Sequence, residues 1–293
     1  MRRLLGLLLC GWLGCAAAEI AVTDSAGVTL RLAQPASRII SLSPHITELL
    51  FAAGAGDRVV AAVEYSNYPD PARKLPRIGA HSAFDLERIA ALKPDLAIAW
   101  LSGNPSGQLA QLRRLGIPIF VSETQRLVDI PDSLRKFGRL AGTDGEAAAH
   151  AYEARLTGIR TRYGNASPVG VFYTIWNKPL MTVGGSHVIS DAMALCGGFN
   201  VFADINQPAA HVALEAVLRA DPEVIVASGM DEARPEWLDD WRRWPQLRAV
   251  RHDNLVFIPP DLLQRHTPRI LDGTERLCVA LAQARQRRSQ PGK

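Results

Sequence analysis

A stretch of fourteen residues occurs twice in the chain, and that repeat limits what it can fold into. Leu86-Glu87-Arg88-Ile89-Ala90-Ala91-Leu92-Lys93-Pro94-Asp95-Leu96-Ala97-Ile98-Ala99 returns as Leu214-Glu215-Ala216-Val217-Leu218-Arg219-Ala220-Asp221-Pro222-Glu223-Val224-Ile225-Val226-Ala227, offset by 128 positions throughout. Leucine, glutamate, a β-branched residue, proline, an acid and an apolar run recur in register. Proline lacks the N–H a helix needs, so each copy reads as a helix stopped at Pro94 or Pro222. The short apolar run that follows reads as a strand buried on both faces of a parallel sheet. One helix–turn–strand unit in each half predicts two similar lobes.

Other segments fit that plan. Strands are expected at Arg38 to Leu42, Val59 to Val63 and Ile117 to Val121, then at Val169 to Ile175 and Leu255 to Ile258. Ser43 as N-cap and Pro44 at the first helical position open a helix, and Ile130, Leu134, Phe137 and Ala141 mark the apolar face of another. Ile20 to Leu32 reads as a hairpin turning at Asp24 to Gly27. Alternating strands and helices imply parallel sheets covered on both faces. Thr143-Asp144-Gly145-Glu146 has the spacing of a capping box and opens a proline-free stretch reaching about Tyr163, expected to be one helix of about 30 Å. The expected fold is α/β: two Rossmann-like lobes with parallel sheets, residues 19–141 and 167–293, joined by a single long backbone helix within 142–166. A helical linker resists bending, so modest lobe motion is expected.

The N-terminus sets the compartment. Met1, Arg2 and Arg3 precede the apolar run Leu4 to Leu13 and the small residues Ala16-Ala17-Ala18, the pattern of a signal peptide over residues 1–18. The run is too short to cross a bilayer, which takes about 20 residues. Leu13-Gly14-Cys15 also resembles a lipoprotein box, which would tether the protein through Cys15. Removing residues 1–18 takes away Arg2 and Arg3 and no acid, so the formal charge falls from +4 to +2. That charge, with no Lys/Arg cluster interleaved with aromatics, excludes nucleic acid as partner; Arg285 to Arg288 reads as a solvated helix end. Only Cys196 and Cys278 remain in the body of the chain. In an oxidising compartment two cysteines suggest one disulfide, with two buried free thiols as the alternative.

Ligands of open parallel sheets bind beyond the carboxyl ends of the strands. Tyr65, Trp100 and Trp176 each follow an expected strand, and Asp261 and Arg265 follow the last one. Aromatics with a few polar groups suit a large, flat, partly apolar ligand. Catalytic motifs are missing: no G-x-S-x-G, no phosphate-cradling loop, no H-E-x-x-H and no dinucleotide fingerprint after a strand. No catalytic residue or catalytic cofactor is therefore expected, and a secreted enzyme is the remaining alternative class. The seven histidines lack H-x-H or H-x-x-x-H spacing, which argues against a dedicated transition-metal receptor. His81, near the expected cleft, is left as a polar rim residue or a single axial ligand.

At these residues the chain resembles the periplasmic binding proteins of the vitamin B12, haem and ferric siderophore importers, whose two lobes are joined by a long helix. The resemblance runs across nearly the whole mature chain, through Arg38-Ile39-Ile40-Ser41-Leu42-Ser43-Pro44 with Thr47-Glu48, Tyr65-Ser66-Asn67-Tyr68-Pro69, Leu195-Cys196-Gly197-Gly198, Pro268-Arg269-Ile270 and Leu277-Cys278. Within the family it is similar to the vitamin B12-binding branch. That similarity implies a corrinoid (cobalamin) as transported ligand, bound by Tyr65, Trp100, Asp261 and Arg265, and a disulfide between Cys196 and Cys278. It implies an ABC importer as partner, a permease dimer with its ATPase subunits, whose arginines face Glu87 and Glu215, and a periplasmic chain that is monomeric when free. Acids placed identically in two lobes suit a two-fold symmetric partner on physical grounds as well, and each also favours its helix N-terminus. His81 and Ala209 stand where the B12-binding pattern has tryptophans, a loss that Trp176 is expected to offset. The hairpin at Ile20 to Leu32 is commoner in the haem and siderophore branches, so haem or a ferric siderophore is the alternative ligand.

Overall fold

The structure, a computed structural model, describes residues 19–229 and 233–288; the leader and the Cys15 tether lie outside the described residues. The chain opens with an antiparallel hairpin, β1 (Ile20–Thr23) and β2 (Thr29–Leu32). Its turn is closed by Asp24 Oδ1, which accepts from the N–H groups of Ala26 at 2.9 Å and Val28 at 2.8 Å. Gly27, at φ +80°, supplies the left-handed residue. The first lobe continues through β3 (Ile39–Ser41), α1 (Pro44–Ala52), β4 (Val59–Ala62), β5 (Gly79–Ala80), β6 (Ala83–Phe84) and α2 (Leu86–Ala91). It closes with β7 (Leu96–Trp100), α3 (Ser106–Arg114), β8 (Ile119–Ser122) and α4 (Ile130–Ala141). After α5 (Glu146–Tyr163) come β9 (Val169–Thr174), β10 (Met181–Val183), α6 (Val188–Leu195), β11 (Gly198–Asn200), β12 (Ala209–His211) and α7 (Leu214–Ala220). The chain ends with β13 (Val224–Ala227), α8 (Arg248–Arg251), β14 (Leu255–Phe257), α9 (Pro260–Leu263) and α10 (Ile270–Arg288).

Two four-stranded sheets carry the architecture, in the orders β4-β3-β7-β8 and β11-β9-β13-β14, with every pair parallel. The copies of the repeat occupy equivalent places, α2 with β7 in one lobe and α7 with β13 in the other. The inner strands are the most deeply buried, Leu96 to Ala99 of β7 and Val224 to Ala227 of β13 throughout, because helices cover both faces there. The α/β fold expected from the sequence is the one observed.

The linker helix α5 has 18 residues and so spans about 27 Å. Its start differs from the expected capping box: the Thr143 hydroxyl donates to the Ala53 carbonyl at 2.6 Å, and the Glu146 N–H is accepted by Asp144 Oδ1 at 3.0 Å. Tertiary packing draws the threonine away, since α4 crosses α5 so closely that a side chain on Gly145 would lie 2.2 Å from the Leu134 carbonyl. Likewise, Ser43 flanks α1 without capping it; its hydroxyl pairs with His45 Nδ1 at 2.7 Å. One buried apolar cluster runs from Ile39 and Leu49 through Tyr152, Leu156 and Ile159 of α5 to Val171 and Leu271, so the lobes share a core as well as a connector.

Cys196, at the end of α6, is disulfide-bonded to Cys278 of α10, and both are fully buried. The basic run at the end of α10 is not a solvated end as expected. Arg285 donates to the carbonyls of Ser167, Cys196 and Gly197, and Arg287 to those of His252 and Asp253. Loop carbonyls at the base of the second sheet recruit these guanidiniums and fasten the helix. Among the described residues no helix is long and apolar enough to cross a membrane.

Candidate functional site

The carboxyl ends of the two sheets face each other across a cleft of about 360 Å³. One wall comes from the first lobe: Tyr65 after β4, His81 in the turn between β5 and β6, Trp100 at the end of β7, and Pro44 and His45 at the start of α1. Asp261 of α9, with Gln264, Arg265 and His266 just beyond it, forms the other. A second chamber of about 200 Å³, sharing Trp100 and His266 with the first, extends along Glu123 to Gln125 and Ser186 to Val188.

Trp100 is the wall's flat element. Its indole Nε1 donates to Glu123 Oε1 at 3.2 Å, and its backbone N–H is accepted by Asn104 Oδ1 at 2.7 Å. The ring lies on Gly103, where an added Cβ would come within 1.8 Å of it, so only glycine lets the loop pass beneath. Tyr65 has a left-handed backbone, φ 62°, uncommon for a bulky residue, and the residue is 76 % exposed. The Tyr65 carbonyl accepts from Arg265 Nη2 at 3.1 Å, which anchors that turn to the opposite lobe.

Polar groups tie the lobes together beneath the cleft. Arg265 pairs with Asp261 at 2.9 Å and donates to Asn67 Oδ1 at 2.7 Å. Glu48 of α1, 2 % exposed, accepts from Thr267 Oγ1 at 2.6 Å and from Arg269 Nε and Nη2 at 2.7 Å each. The Arg269 guanidinium also lies 3.7 Å from the centre of the Tyr68 ring. A buried carboxylate with this many donors is fully compensated, and removing one partner strands the other.

The sequence spacing gives no hint that four of the seven histidines gather around Trp100. His45 meets the Trp100 ring edge-on at 5.3 Å, and His81 lies 6.0 Å from it at a tilt of 43°. His266 bridges His45 at 5.8 Å and His187 at 5.6 Å. Burial holds His45 well below the usual imidazole range, with the nearby His266 adding to the effect. Burial also lowers His187 to about 3, and lowers His266 to about 4 against the opposing pull of the Thr124 backbone. Among the described residues no group of three or more His, Cys, Asp or Glu has the geometry to hold a metal ion.

The candidates from the sequence thus fall into three groups. Tyr65, His81, Trp100, Asp261 and Arg265 come together in one cleft. Trp176 does not line it; the indole Nε1 donates to the Lys178 carbonyl at 2.8 Å within its own loop after β9. Glu87 and Glu215 lie away from it, exposed in the first turns of α2 and α7, with no ion-pair partner among the described residues. His45, Gly103, Gln264 and His266 are additions that only the folded arrangement reveals.

Residues 39–262 match the family model described as periplasmic binding protein. The chain belongs to the periplasmic binding protein family. Among its relatives, the vitamin B12-binding protein of Vibrio cholerae is 42 % identical over 250 residues, which are 84 % of this chain and 90 % of that one. The vitamin B12-binding protein of Yersinia pestis is 39 % identical over 256 residues, 85 % and 88 % of the two chains. Among solved structures, periplasmic vitamin B12 binding protein BtuF of Vibrio cholerae superposes on this family member with a TM-score of 0.79 at 40 % identity, covering 87 % of this chain and 99 % of that one. Periplasmic haem-binding protein RhuT from Roseiflexus gives 0.72 at 25 % identity, covering 85 % and 98 %.

Proposed function

We propose that this chain captures a corrinoid, vitamin B12 or a close relative, in the interlobe cleft and delivers it to an ABC importer. The observation that carries the reading is the cleft itself: Tyr65 and Trp100 offer aromatic surface on one lobe, and Asp261 and Arg265 a charged pair on the other. A flat macrocycle fringed with amides would lie against the aromatics and present its polar side groups to the charges, a site built from shape with a few orienting contacts. That the relatives at 42 % and 39 % identity are vitamin B12-binding proteins supports the same ligand.

In this reading residues 1–18 are a signal peptide cleaved on export to the periplasm, where the chain works as a monomer, free or tethered through Cys15. Residues 19–141 and 167–293 are the lobes and 142–166 the connector. Glu87 and Glu215 are exposed at equivalent points of the two lobes, so they can meet the two halves of a permease dimer in the same way. ATP is hydrolysed by the importer's own subunits.

Haem is the second reading, favoured by the imidazole of His81 at the mouth of the cleft. Calorimetric titration of the purified protein with cyanocobalamin and with haemin separates them. Saturable one-to-one binding of cyanocobalamin that haemin does not displace is expected. Tight haemin binding with no cyanocobalamin binding would overturn the corrinoid.

A further inference from the structure

The four histidines around Trp100 are not equivalent. His45 Nδ1 is held by the Ser43 hydroxyl at 2.7 Å, and the residue is 8 % exposed. His187 Nδ1 accepts the Ile189 N–H at 3.2 Å, capping α6. His266 is 9 % exposed and turned toward the Thr124 backbone. His81 differs on every count. It is exposed and lines the cleft, and neither ring nitrogen has a hydrogen-bond partner among the described residues. Its backbone is nonetheless fixed, because Asn104 Nδ2 donates to the His81 carbonyl at 2.9 Å and also to that of Leu42 at 2.9 Å. The result is a positioned imidazole with a free lone pair, beside the flat wall of Trp100.

A free imidazole in a ligand cleft is a Lewis base suited to a metal the ligand brings with it. We propose that His81 coordinates the cobalt of the bound corrinoid at an exchangeable axial position; this rests on the corrinoid reading above and deepens it. The step is a ligand exchange. The bond from cobalt(III) to an axial water breaks and the water leaves with its electron pair, while a lone pair of neutral His81 forms the new cobalt–nitrogen bond. Cobalt keeps its oxidation state, and no proton is transferred. The cleft would then select corrinoids by their upper ligand: those carrying water exchange it, whereas those carrying cyanide keep it and bind by shape alone.

Absorption spectroscopy with aquacobalamin and cyanocobalamin tests this, with calorimetry run in parallel on the wild type and His81→Ala. In the wild type the aquacobalamin bands should shift to those of an imidazole complex and saturate at one equivalent, while the cyanocobalamin spectrum stays as it is free. His81→Ala should abolish the shift and lose at least about tenfold more affinity for aquacobalamin than for cyanocobalamin. Binding of both corrinoids with no shift in the wild type overturns the coordination and leaves the corrinoid reading standing. A shift that persists in His81→Ala overturns it as well, as does binding of cyanocobalamin without aquacobalamin, and failure of both corrinoids to bind overturns both readings.

Discussion

Trp100 and Gly103 show how much of a ligand site depends on one pair of residues. A tryptophan at a strand end is visible in sequence, yet its ring is usable only because a glycine three residues on lets the loop lie against its face. Loss of a large aromatic contact at a desolvated centre costs about 2 kcal/mol or more, roughly a thirtyfold weakening. Trp100→Ala is expected to weaken cobalamin binding by at least that factor in calorimetry. Gly103→Ala should weaken it in the same direction without touching the ligand, because the new methyl group displaces the indole. Circular dichroism matching the wild type would establish that neither change unfolds the protein. Nothing in the local sequence marks Gly103, because the close approach to the indole exists only in the folded chain.

At the level of elements, the disulfide and the repeated helices carry separate consequences. Cys196 and Cys278 are 82 positions apart, so their bond closes a loop worth about 4 kcal/mol in the chain-entropy account. It ties α6 to α10, two helices whose Leu195, Leu277 and Leu281 belong to the same buried core. Replacing both cysteines with serine should lower the thermal midpoint by on the order of 10 °C, measured by calorimetric scanning. An unchanged midpoint would place that stability elsewhere. Helices α2 and α7 each present an exposed glutamate in the first turn, where the helix dipole alone gives about 0.3–1 kcal/mol. Replacing Glu87 and Glu215 together with alanine should abolish uptake by cells while leaving ligand affinity within about 1 kcal/mol, the scale of exposed changes away from a site. Loss of ligand affinity with importer association intact would reverse that assignment.

Over the whole molecule, the cleft floor is both a lobe contact and a proton-sensitive layer. Burial keeps His45, His187 and His266 neutral, with folded values below the ordinary 6.5 and, for His187 and His266, about 3 and about 4. The unfolded chain therefore binds more protons below pH 6.5. The contribution is whole above that pH and is lost as the pH falls through the folded values, at about 1.4 kcal/mol per pH unit for each histidine. Thermal midpoints should fall between pH 6.5 and 4, and His266→Gln should make that fall shallower; an equal slope in the variant would remove His266 from the account. The Glu48, Thr267 and Arg269 contacts bind the lobes in the same layer, and the core shared through α5 adds to them. Modest lobe motion, expected from the helical connector alone, has these further reasons behind it.

The sequence by itself determined the two lobes, their parallel sheets and the helix between them. Each of these rests on local rules, hydrophobic period and proline stops, repeated at an offset of 128. It also pointed to Tyr65, Trp100, Asp261 and Arg265, because strand ends can be located from the strands themselves. Only the tertiary structure decided that Trp176 turns into its own loop and that Thr143 leaves its cap for the Ala53 carbonyl. The same holds for the gathering of His45, His81, His187 and His266, residues up to 221 positions apart, around one indole. Contacts of that span have no local period to betray them; they follow from where two sheets place their ends, and that is settled when the lobes close on a common core.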